Sequence, residues 1–410
     1  MRILYIIGTH IFSFLLYLAS PFNKKAQLLR IGRKKIWKQL VGIDHDSPII
    51  WVHCASLGEF EQGRPVIEAI RAHHPEKKIL LTFFSPSGYE IRKNYDLAHW
   101  VTYLPADSPK KARKFIDLVK PESALFIKYE FWPCFFAALN KRGIPIYSIS
   151  AIFRKNQLFF KWYGGWFRKT LKIVNQFFVQ DEESGILLNK IGIKNYRIVG
   201  DTRFDRVSAI VKNAADVPAA ASFAKEASLV LVAGSTWPPD EDLLIKYINS
   251  AHSSVKMIIA PHEVHENHII QIEQKLNVPS LRFSKITGEI PHNTKVLIID
   301  TIGLLSAIYR YGHLAYIGGG FGKGIHNTLE AATYGIPVLF GPKYHKFKEA
   351  CDLINCEGGF TINNFKDLFT QIEKFRSDTT QIKRSGNEAA NYVASMCGAT
   401  NIVLKTIIRD

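Results

Sequence analysis

The sequence predicts an α/β protein with two doubly wound domains that face each other across a cleft, preceded by an apolar N-terminal helix. Three observations support this prediction. The chain has 410 residues, which is too many for one ordinary domain. From Pro48 onward, short apolar runs alternate with amphipathic stretches, which is typical of parallel βαβ units. Residues 3–19 are nearly all apolar.

The apolar runs form two series, and each series predicts one sheet. The predicted strands are residues 49–55, 79–84, 124–127, 144–149, 176–179 and 197–199 in the first series, and 229–233, 256–260, 295–299, 314–317 and 337–340 in the second. An alanine-rich segment lies between them. We therefore predict an anchor over residues 1–22, an N-terminal domain over 23–213, a linker over 214–227 and a C-terminal domain over 228–410.

The net charge of +17 is concentrated in the first half of the chain. Through Asp205 there are 32 Lys and Arg against 17 Asp and Glu, whereas the remaining residues contain 21 and 19. A basic half predicts an anionic partner: a nucleic acid, an anionic lipid or a phosphorylated substrate. The five cysteines include no CxxC pair, which argues against a disulfide scaffold or a structural zinc site and favours a reducing compartment.

The apolar run at residues 3–19 predicts a membrane anchor. It is at the lower length limit for a membrane span, and seven Lys and Arg follow it by residue 38, whereas only Arg2 precedes it. The positive-inside rule then leaves the rest of the chain in the cytoplasm. Two alternatives stay open: a cleaved signal peptide, which the charge distribution disfavours, and a helix that lies in the membrane interface.

Aromatic and basic residues alternate over residues 153–174, FRKNQLFFKWYGGWFRKTLKIV. A membrane-surface segment has this composition, and so does a site for single-stranded nucleic acid. An ordinary amphipathic helix with a solvated basic face is the third interpretation. The apolar N-terminus favours the membrane, so we predict no nucleic-acid partner.

The sequence Ser56-Leu57-Gly58-Glu59 lies where the first predicted strand ends and a helix begins. Ligands of open α/β sheets bind at the carboxyl ends of the strands, where a carboxylate can accept a proton from a hydroxyl group. The alternative role of Glu59 is a first-turn acid that the helix dipole stabilises. Glu130 follows another strand, in KYEFWP, and either forms a buried structural ion pair or binds and orients the substrate.

The second series contains a glycine-rich loop, GGGFGKG at residues 318–324, between a predicted strand and a predicted helix that starts near Asn327. Glycines allow a phosphate to approach the backbone, and a helix N-terminus attracts it. Asn327 and Glu330 also have the spacing of an N-cap and its capping-box partner, which needs no ligand. The sequence Asp44-His45-Asp46 is interpreted as a solvated turn, and no metal site is predicted.

Several motifs together resemble one family, the Kdo transferases of lipopolysaccharide assembly. They are WVHCASLGEFEQGRP (51–65), LLTFFSPSGYE (80–90), YEFWP (129–133), VGDTRFD (199–205), AGST (233–236), IAPHEVHE (259–266), DTIGLL (300–305) and GGGFGKGIHNTLEAATYGIPVLFGP (318–342). The resemblance covers nearly the whole chain and implies a GT-B fold. It also implies that a lipid A precursor binds the N-terminal domain at the cytoplasmic face of the inner membrane, and that CMP-Kdo binds the C-terminal domain.

The resemblance assigns roles to particular residues. The family's catalytic base corresponds to Glu59. We predict that Glu130 is a second catalytic residue at the same end of the sheet. The acceptor is assigned to Ser56, Gly58 and Arg64. The CMP contacts fall on Pro261, His262, Ile302, Gly303, Leu304, Asn327, Thr328, Leu329 and Glu330.

This sequence departs from the family pattern in the donor domain. His262 stands where Arg is common, Leu304 where Glu is common and Ile325 where a glycine is common, and Trp237 follows the AGST motif. We expect an inverting, metal-independent transferase without a cofactor. The alternatives are a GT-B enzyme that uses a UDP-sugar on a membrane lipid, and a lipid- or sugar-binding homologue that has lost the chemistry.

Overall fold

The chain folds into two units, each built on one seven-stranded parallel sheet, in a computed structural model that describes residues 1–408. The first unit combines Met1–Arg206 with Cys397–Asp410, and the second is Val207–Met396. The prediction of two doubly wound α/β domains is confirmed.

The sheet of the first unit has the strand order β3-β2-β1-β4-β5-β6-β7, and every pair of neighbours is parallel. Its strands are β1 (Ile49–Cys54), β2 (Lys78–Phe83), β3 (Trp100–Tyr103), β4 (Ser123–Ile127), β5 (Ile146–Ala151), β6 (Gln176–Val179) and β7 (Tyr196–Ile198). The chain reverses its direction across the sheet between β1 and β4, so these two neighbours flank the switch point at which ligands of such folds bind.

Helices cover both faces of this sheet. They are α1 (Arg2–Ala19), α2 (Lys24–Leu40), α3 (Leu57–His73), α4 (Pro86–Arg92), α5 (Pro109–Val119), α6 (Pro133–Lys141), α7 (Gly165–Leu171), α8 (Glu182–Lys190) and α18 (Ala399–Ile407). The boundary between the two units falls within α9 (Arg203–Asn213). Alternate residues of β1 point to opposite faces: Trp51 belongs to a core with α2, α5 and α6, and Val52 to a core with α3 and α18. All six residues of β1 are buried, as in a central parallel strand.

The sheet of the second unit has the order β10-β11-β9-β8-β12-β13-β14, again with all neighbours parallel. Its strands are β8 (Leu229–Thr236), β9 (Val255–Pro261), β10 (Ser280–Arg282), β11 (Val296–Ile298), β12 (Leu314–Ile317), β13 (Val338–Phe340) and β14 (Gly359–Thr361). Its helices are α10 (Pro218–Ala224), α11 (Pro238–Ser250), α12 (Glu266–Lys275), α13 (Leu305–Ile308), α14 (Leu329–Thr333), α15 (Lys348–Asn355), α16 (Phe365–Ser377) and α17 (Thr379–Ser395). The switch point lies between β8 and β12.

The predicted domain boundaries differ from the observed units at both ends of the second unit. The predicted linker contains α10, whose Ala220 and Phe223 are buried, because alanine is a good helix former and the apolar side chains find a core. The predicted C-terminal domain extended to residue 410. Instead α18 packs on α3 of the first unit, where Val403 is fully buried.

The aromatic and basic residues 153–174 do not form the single amphipathic helix that was one interpretation. Phe153 is buried and stacks on Phe131, with ring centroids 5.6 Å apart. A short 3₁₀ turn and then α7 follow it, and Trp162 between them is 89% exposed. The aromatic residues therefore divide between a core role and a surface role.

Helix α1 is long and apolar enough to cross a membrane, by length and composition. It nevertheless lies along the first unit: Tyr5 donates a 2.7 Å hydrogen bond to Asp107, and the rings of Phe12 and Phe84 stack. The opposite side of the helix exposes large apolar residues, namely Ile3, Leu4, Ile7, Ile11, Phe14, Leu15 and Leu18.

Candidate active site

Glu59 lies in the first turn of α3, directly after the carboxyl end of β1. Ser56 is the N-cap of this helix; its Oγ accepts a hydrogen bond from the backbone N–H of Gly58 and donates one to the Glu59 carboxylate. The Nζ atom of Lys128, which follows the adjacent strand β4, is 3.9 Å from Glu59 Oε1. The Glu59 side chain is 12% exposed, so it is oriented by neighbours and still accessible.

Two of the three predicted acceptor residues lie at the start of α3. Ser56 orients Glu59, and Gly58 is exposed, with only Ser56 Oγ within 4 Å of where a Cβ would lie. Arg64 lies farther along α3, where its Nε donates a 2.6 Å hydrogen bond to Glu68. The acceptor role of these residues stays a prediction.

Glu130 follows β4, the neighbour of β1 in the sheet, so the two predicted carboxylates lie at adjacent strand ends. The Nε2 atom of His53 is 3.9 Å from Glu130 Oε2. Nδ1 of this imidazole lies 2.9 Å from Thr82 Oγ1, and Nε2 has no hydrogen-bond partner among the described residues. Burial lowers the pKa of His53 to about 3, so the imidazole is neutral and forms no ion pair with Glu130.

The environment of Glu130 favours its neutral form. Burial raises the pKa of the Glu130 carboxyl to about 7, and the nearby charge of Glu59 acts in the same direction. A structural ion pair would have the opposite effect. The structure therefore shows no ion pair between Glu130 and His53, and the role of Glu130 with a substrate stays a prediction.

Sequence reasoning missed His53 and Lys128. Both lie within the quoted motifs, His53 inside the strand of WVHCASLGE and Lys128 directly before YEFWP. Their positions could have indicated a role in the site, because each lies in or directly after a strand that flanks the switch point.

The predicted donor residues of the second unit follow neighbouring strands. Pro261 and His262 end and follow β9, the 302–304 segment follows β11, and the 327–330 segment follows the loop after β12. The strands are parallel and follow the order β11-β9-β8-β12, so the three segments lie at the same carboxyl end of the sheet.

Three aromatic rings form a stack at this end of the sheet. The centroid of the His262 ring is 4.7 Å from that of Trp237 and 4.4 Å from that of His326, and the Trp237 and His326 centroids are 6.4 Å apart, so each of the three nearly parallel rings contacts the other two. Trp237 Nε1 donates a 2.9 Å hydrogen bond to His326 Nε2. Burial, with a smaller contribution from His262, lowers the pKa of His326 to about 4, so His326 is a neutral acceptor. Two of the departures from the family pattern, at Trp237 and His262, therefore contact each other.

A buried carboxylate fixes the glycine-rich loop beside this stack. Asp240 accepts hydrogen bonds from the backbone N–H of Gly319 at 2.8 Å and of Trp237 at 3.0 Å, and from the Tyr316 hydroxyl at 2.7 Å. A Cβ on Gly318 would lie 2.2 Å from the Ser235 carbonyl oxygen, so this glycine is required by backbone packing alone. The glycine density of the loop is thus partly structural.

The structure limits how some of the predicted donor residues could contact a ligand. The predicted helix near Asn327 is only the five-residue α14, because residues 318–328 form the loop, so its dipole is a weak anion site. The Leu329 side chain is fully buried and Pro261 is buried as the last residue of β9, which leaves only their backbones for a ligand. Ile302 is 88% exposed.

The two residues at the ends of the 327–330 segment, Asn327 and Glu330, form a hydrogen bond with each other. Asn327 Nδ2 donates a 3.0 Å hydrogen bond to Glu330 Oε1, and Asn327 Oδ1 accepts one from the backbone N–H of Leu329. The N-cap is Thr328, without a side-chain cap hydrogen bond, so the capping box that was the alternative explanation is not formed. Gly303 has a φ of +96°, and Leu304 is the N-cap of α13.

The structure contains no obvious metal site in the part of the chain that it describes. Among residues 1–408, no group of three or more His, Cys, Asp or Glu is arranged to hold a metal ion. Asp44 instead forms an ion pair with Lys78 on the surface.

Solved structures with the same fold include sugar-nucleotide enzymes. The UDP-GlcNAc 2-epimerase from Neisseria meningitidis aligns with a TM-score of 0.61 and 15% identity, over 88% of this chain and 100% of that one. MurG of Acinetobacter baumannii aligns with a TM-score of 0.54 and 11% identity, over 88% and 99%. At these identities the similarity shows the fold alone, which is GT-B.

Sequence comparison shows which proteins the chain resembles. Residues 29–206 match the family model described as 3-Deoxy-D-manno-octulosonic-acid transferase (kdotransferase). Relatives with that name include proteins of Aquifex aeolicus, 28% identical over 82% of this chain and 88% of the relative, and of Bordetella pertussis, 25% identical over 87% and 86%. With the fold and the paired carboxylates, these matches define a GT-B glycosyltransferase. Over most of its length, the chain is similar to 3-deoxy-D-manno-octulosonic acid (Kdo) transferases.

Proposed function

We propose that this enzyme transfers Kdo from CMP-Kdo to a hydroxyl group of a lipid A precursor, lipid IVA, in lipopolysaccharide biosynthesis. The acceptor oxygen attacks the anomeric carbon of Kdo and forms the new glycosidic bond. The bond from that carbon to the CMP phosphate oxygen breaks, and CMP leaves with the bonding electron pair. Attack from the opposite side inverts the anomeric configuration.

The observation that carries the proposal is the position of Glu59 at the switch point of the first unit. Its carboxylate is held by the Ser56 hydroxyl and lies near the ammonium group of Lys128. A carboxylate that is oriented and partly exposed can accept the proton of the acceptor hydroxyl as the oxygen attacks. Lys128 then compensates part of the charge that Glu59 carries before the transfer.

Glu130 has a different role in this proposal. Kdo carries its own carboxylate, which a second ionised glutamate would repel. A protonated Glu130, with its pKa raised to about 7, avoids this repulsion and donates a hydrogen bond to the sugar acid. The neutral His53 beside it adds no positive charge that would favour the ionised form of Glu130.

The donor nucleotide is proposed to bind at the carboxyl end of the sheet of the second unit. Asp240 holds the backbone of the glycine-rich loop, and the stacked His262 presents its ring beside it. A histidine makes a weaker and more pH-dependent phosphate contact than the bidentate arginine of the family pattern. We assign the ribose to Glu330, whose carboxylate already orders Asn327.

The lipid acceptor places the reaction at a membrane surface, which we propose is the cytoplasmic face of the inner membrane. Helix α1 supports this because its exposed side is apolar while its other side packs on the first unit. This geometry favours a helix that lies in the interface, among the alternatives that the sequence leaves open.

A turnover assay with CMP-Kdo and the tetra-acylated precursor tests the proposal. The expected result is formation of CMP together with a Kdo-bearing lipid. UDP-sugars are included as competing donors. Transfer from a UDP-sugar with no reaction of CMP-Kdo would replace the donor, and binding of CMP-Kdo without turnover would identify an inert homologue.

A further inference from the structure

A cationic cavity lies in the first unit between α1, α5, α6 and α7. Its volume is about 720 Å³, and five of the side chains that line it are basic: Arg2, Arg113, Lys141, Arg142 and Lys169. We call it the α6–α7 groove. Neither Glu59 nor Glu130 lines it, so it is separate from the site described above.

A second cavity of about 410 Å³ adjoins the groove on the other side of α7. Lys169 lines both, and Arg168, Lys172 and Lys190 complete the basic lining of the second. Of the described residues that line these two cavities, none is acidic. The positive charge of this surface is therefore continuous around α7.

Most of the cations in the groove have no ion-pair partner among the residues that the structure describes. Arg142 pairs with Asp117, but Arg2, Lys141 and Lys169 form no ion pair with any residue that the structure describes. Like charges that face a common cavity repel one another, and this repulsion lowers stability unless an anion neutralises it. The groove therefore fits a ligand with negative charge.

Part of the lining of the same groove is apolar. Ala137, Ile173 and the Trp166 ring contribute to it, and Trp166 lies 5.4 Å from the ring of Tyr5, between centroids. A lining that combines basic and apolar side chains matches an amphiphile, with a phosphate at one end and hydrocarbon at the other. A free phosphate or nucleotide would leave the apolar side chains without a partner.

The neighbouring helix identifies where such an amphiphile comes from. Arg2 and Tyr5 of α1 line the groove, and the same turns of α1 expose Ile3, Leu4 and Ile7. We propose that the α6–α7 groove binds an anionic glycerophospholipid of the membrane, with its phosphate among the unpaired cations and one acyl chain along Trp166. This lipid is not a reactant, so the site goes beyond Kdo transfer.

The test compares the affinity of the full-length protein for two kinds of vesicle. One contains phosphatidylcholine alone, and the other contains phosphatidylcholine and phosphatidylglycerol in equal amounts. We expect wild type to prefer the anionic vesicles. The double variant Lys141→Gln/Lys169→Gln should lose about thirtyfold of that preference, since each of the two cations contributes on the order of 1 kcal/mol near an anionic surface and about 1.4 kcal/mol corresponds to a factor of ten.

Two further variants distinguish binding in the groove from a general effect of the protein's positive charge. Ala137→Trp fills the groove from an exposed position of α6 without changing any charge, and it should also reduce the preference. The control Lys366→Gln/Lys383→Gln removes the same charge from exposed positions of the second unit and should leave it intact. An equal loss in the control, or no effect of Ala137→Trp in a protein with an unchanged circular dichroism spectrum, would overturn the proposal.

Two more outcomes would assign the groove to another ligand. In neutral detergent without phospholipid, the double variant should turn over the lipid acceptor with the KM of wild type; a raised KM would mean that the groove holds the acceptor's own phosphate. Single-stranded RNA should bind weakly and equally to both proteins; tight binding that the double variant loses would mean a nucleic-acid site. Failure of the lipid proposal in either way leaves the turnover test of Kdo transfer unaffected.

Discussion

Glu59 and Glu130 are two glutamates at adjacent strand ends with different surroundings. Glu59 is oriented by a hydroxyl group beside an ammonium group, and Glu130 is buried beside a neutral imidazole. Environments that separate the pKa values of paired carboxyl groups divide acid and base roles between them. Two predictions at the residue scale follow from this difference.

Glu59→Gln should lower kcat by about 10²–10⁴, because the amide keeps the shape of the side chain and cannot accept the proton. The affinity for CMP-Kdo should stay unchanged, because the predicted donor residues all belong to the second unit. Steady-state kinetics and a CMP-Kdo titration on the same variant measure both. Turnover at the wild-type rate would show that another group is the base.

The kcat/KM of the wild-type enzyme should decrease above about pH 7, because the carboxyl group of Glu130 loses its proton there. Glu130→Gln keeps a hydrogen-bond donor at all pH values, so the decrease should be absent.

The raised pKa of Glu130 also means that the folded state binds more protons than the unfolded state between about pH 4.5 and 7. Stability should therefore fall by up to about 3 kcal/mol as the pH rises through that range, and Glu130→Gln should not show this loss. Identical pH profiles for the two proteins would contradict the assignment.

Glu330→Gln distinguishes a ribose contact from a purely structural role. A carboxylate that binds ribose hydroxyls makes charge-assisted hydrogen bonds, so the amide should weaken CMP binding by about tenfold. The melting temperature should stay nearly the same, because an amide oxygen can still accept the hydrogen bond from Asn327. CMP titration and thermal melting are compared with Glu388→Gln, an exposed position on α17. Unchanged CMP affinity would move the nucleotide site elsewhere.

The site could be predicted from sequence where a residue's role follows from its place along one segment. Glu59 directly follows a run of apolar residues and starts a helix, so its position at a strand end was visible. His53 could not be found in this way, because its role depends on β4 lying beside β1 although β2 and β3 separate them in sequence. The stack of Trp237, His262 and His326 likewise joins residues from three strand ends.

At the scale of elements, the inner strands were predicted and most edge strands were not. Strands β3, β10 and β14 are edges of the two sheets, three or four residues long and only partly buried. A central parallel strand must be apolar along its whole length, which gives a clear signal. An edge strand is stabilised by one neighbour and needs no such composition.

Helices α1 and α6 are connected through the side chain of one residue, Asp107. Asp107 accepts the hydrogen bond of Tyr5 and, in addition, those of the backbone N–H groups of Cys134 and Phe135 in the first turn of α6. One carboxylate thus joins the N-terminal helix to the segment that follows Glu130.

Tyr5→Phe should loosen α1 from the first unit. Hydrogen bonds to charged groups contribute about 1.5–3 kcal/mol, so the amides of α1 should exchange roughly tenfold faster or more. Hydrogen-exchange mass spectrometry of the protein in neutral detergent measures this. The control is Tyr17→Phe, also on α1, whose ring is 57% exposed and contacts Arg30. Equal exchange in the two variants would show that the link does not hold the helix.

At the scale of the whole molecule, the first unit is completed by the last segment of the chain. Helix α18 packs on α3, and its Val403, Leu404 and Ile407 join the same core as β1. Sequence reasoning assigned α18 to the C-terminal domain, because a boundary inferred from order along the chain cannot show a segment that returns.

Leu404→Ala should therefore destabilise the first unit, by about 2–5 kcal/mol for a buried leucine. Hydrogen exchange in β1 and α3 should become faster, while CMP affinity, which depends on the second unit, should stay the same. Lys405→Ala, the next and exposed residue of α18, is the matched control. Destabilisation confined to residues 207–396 would contradict the assignment of α18.

The return of α18 has a consequence for the nascent chain. All seven strands of the first unit leave the ribosome before residue 207, but the helix that covers one face of their sheet comes after residue 396. Translation of the 190 residues in between takes roughly 10–40 s at typical bacterial rates of 5–20 residues per second. During that time the apolar surface that α18 later covers has no partner from its own chain, so it stays exposed while the second unit is synthesised.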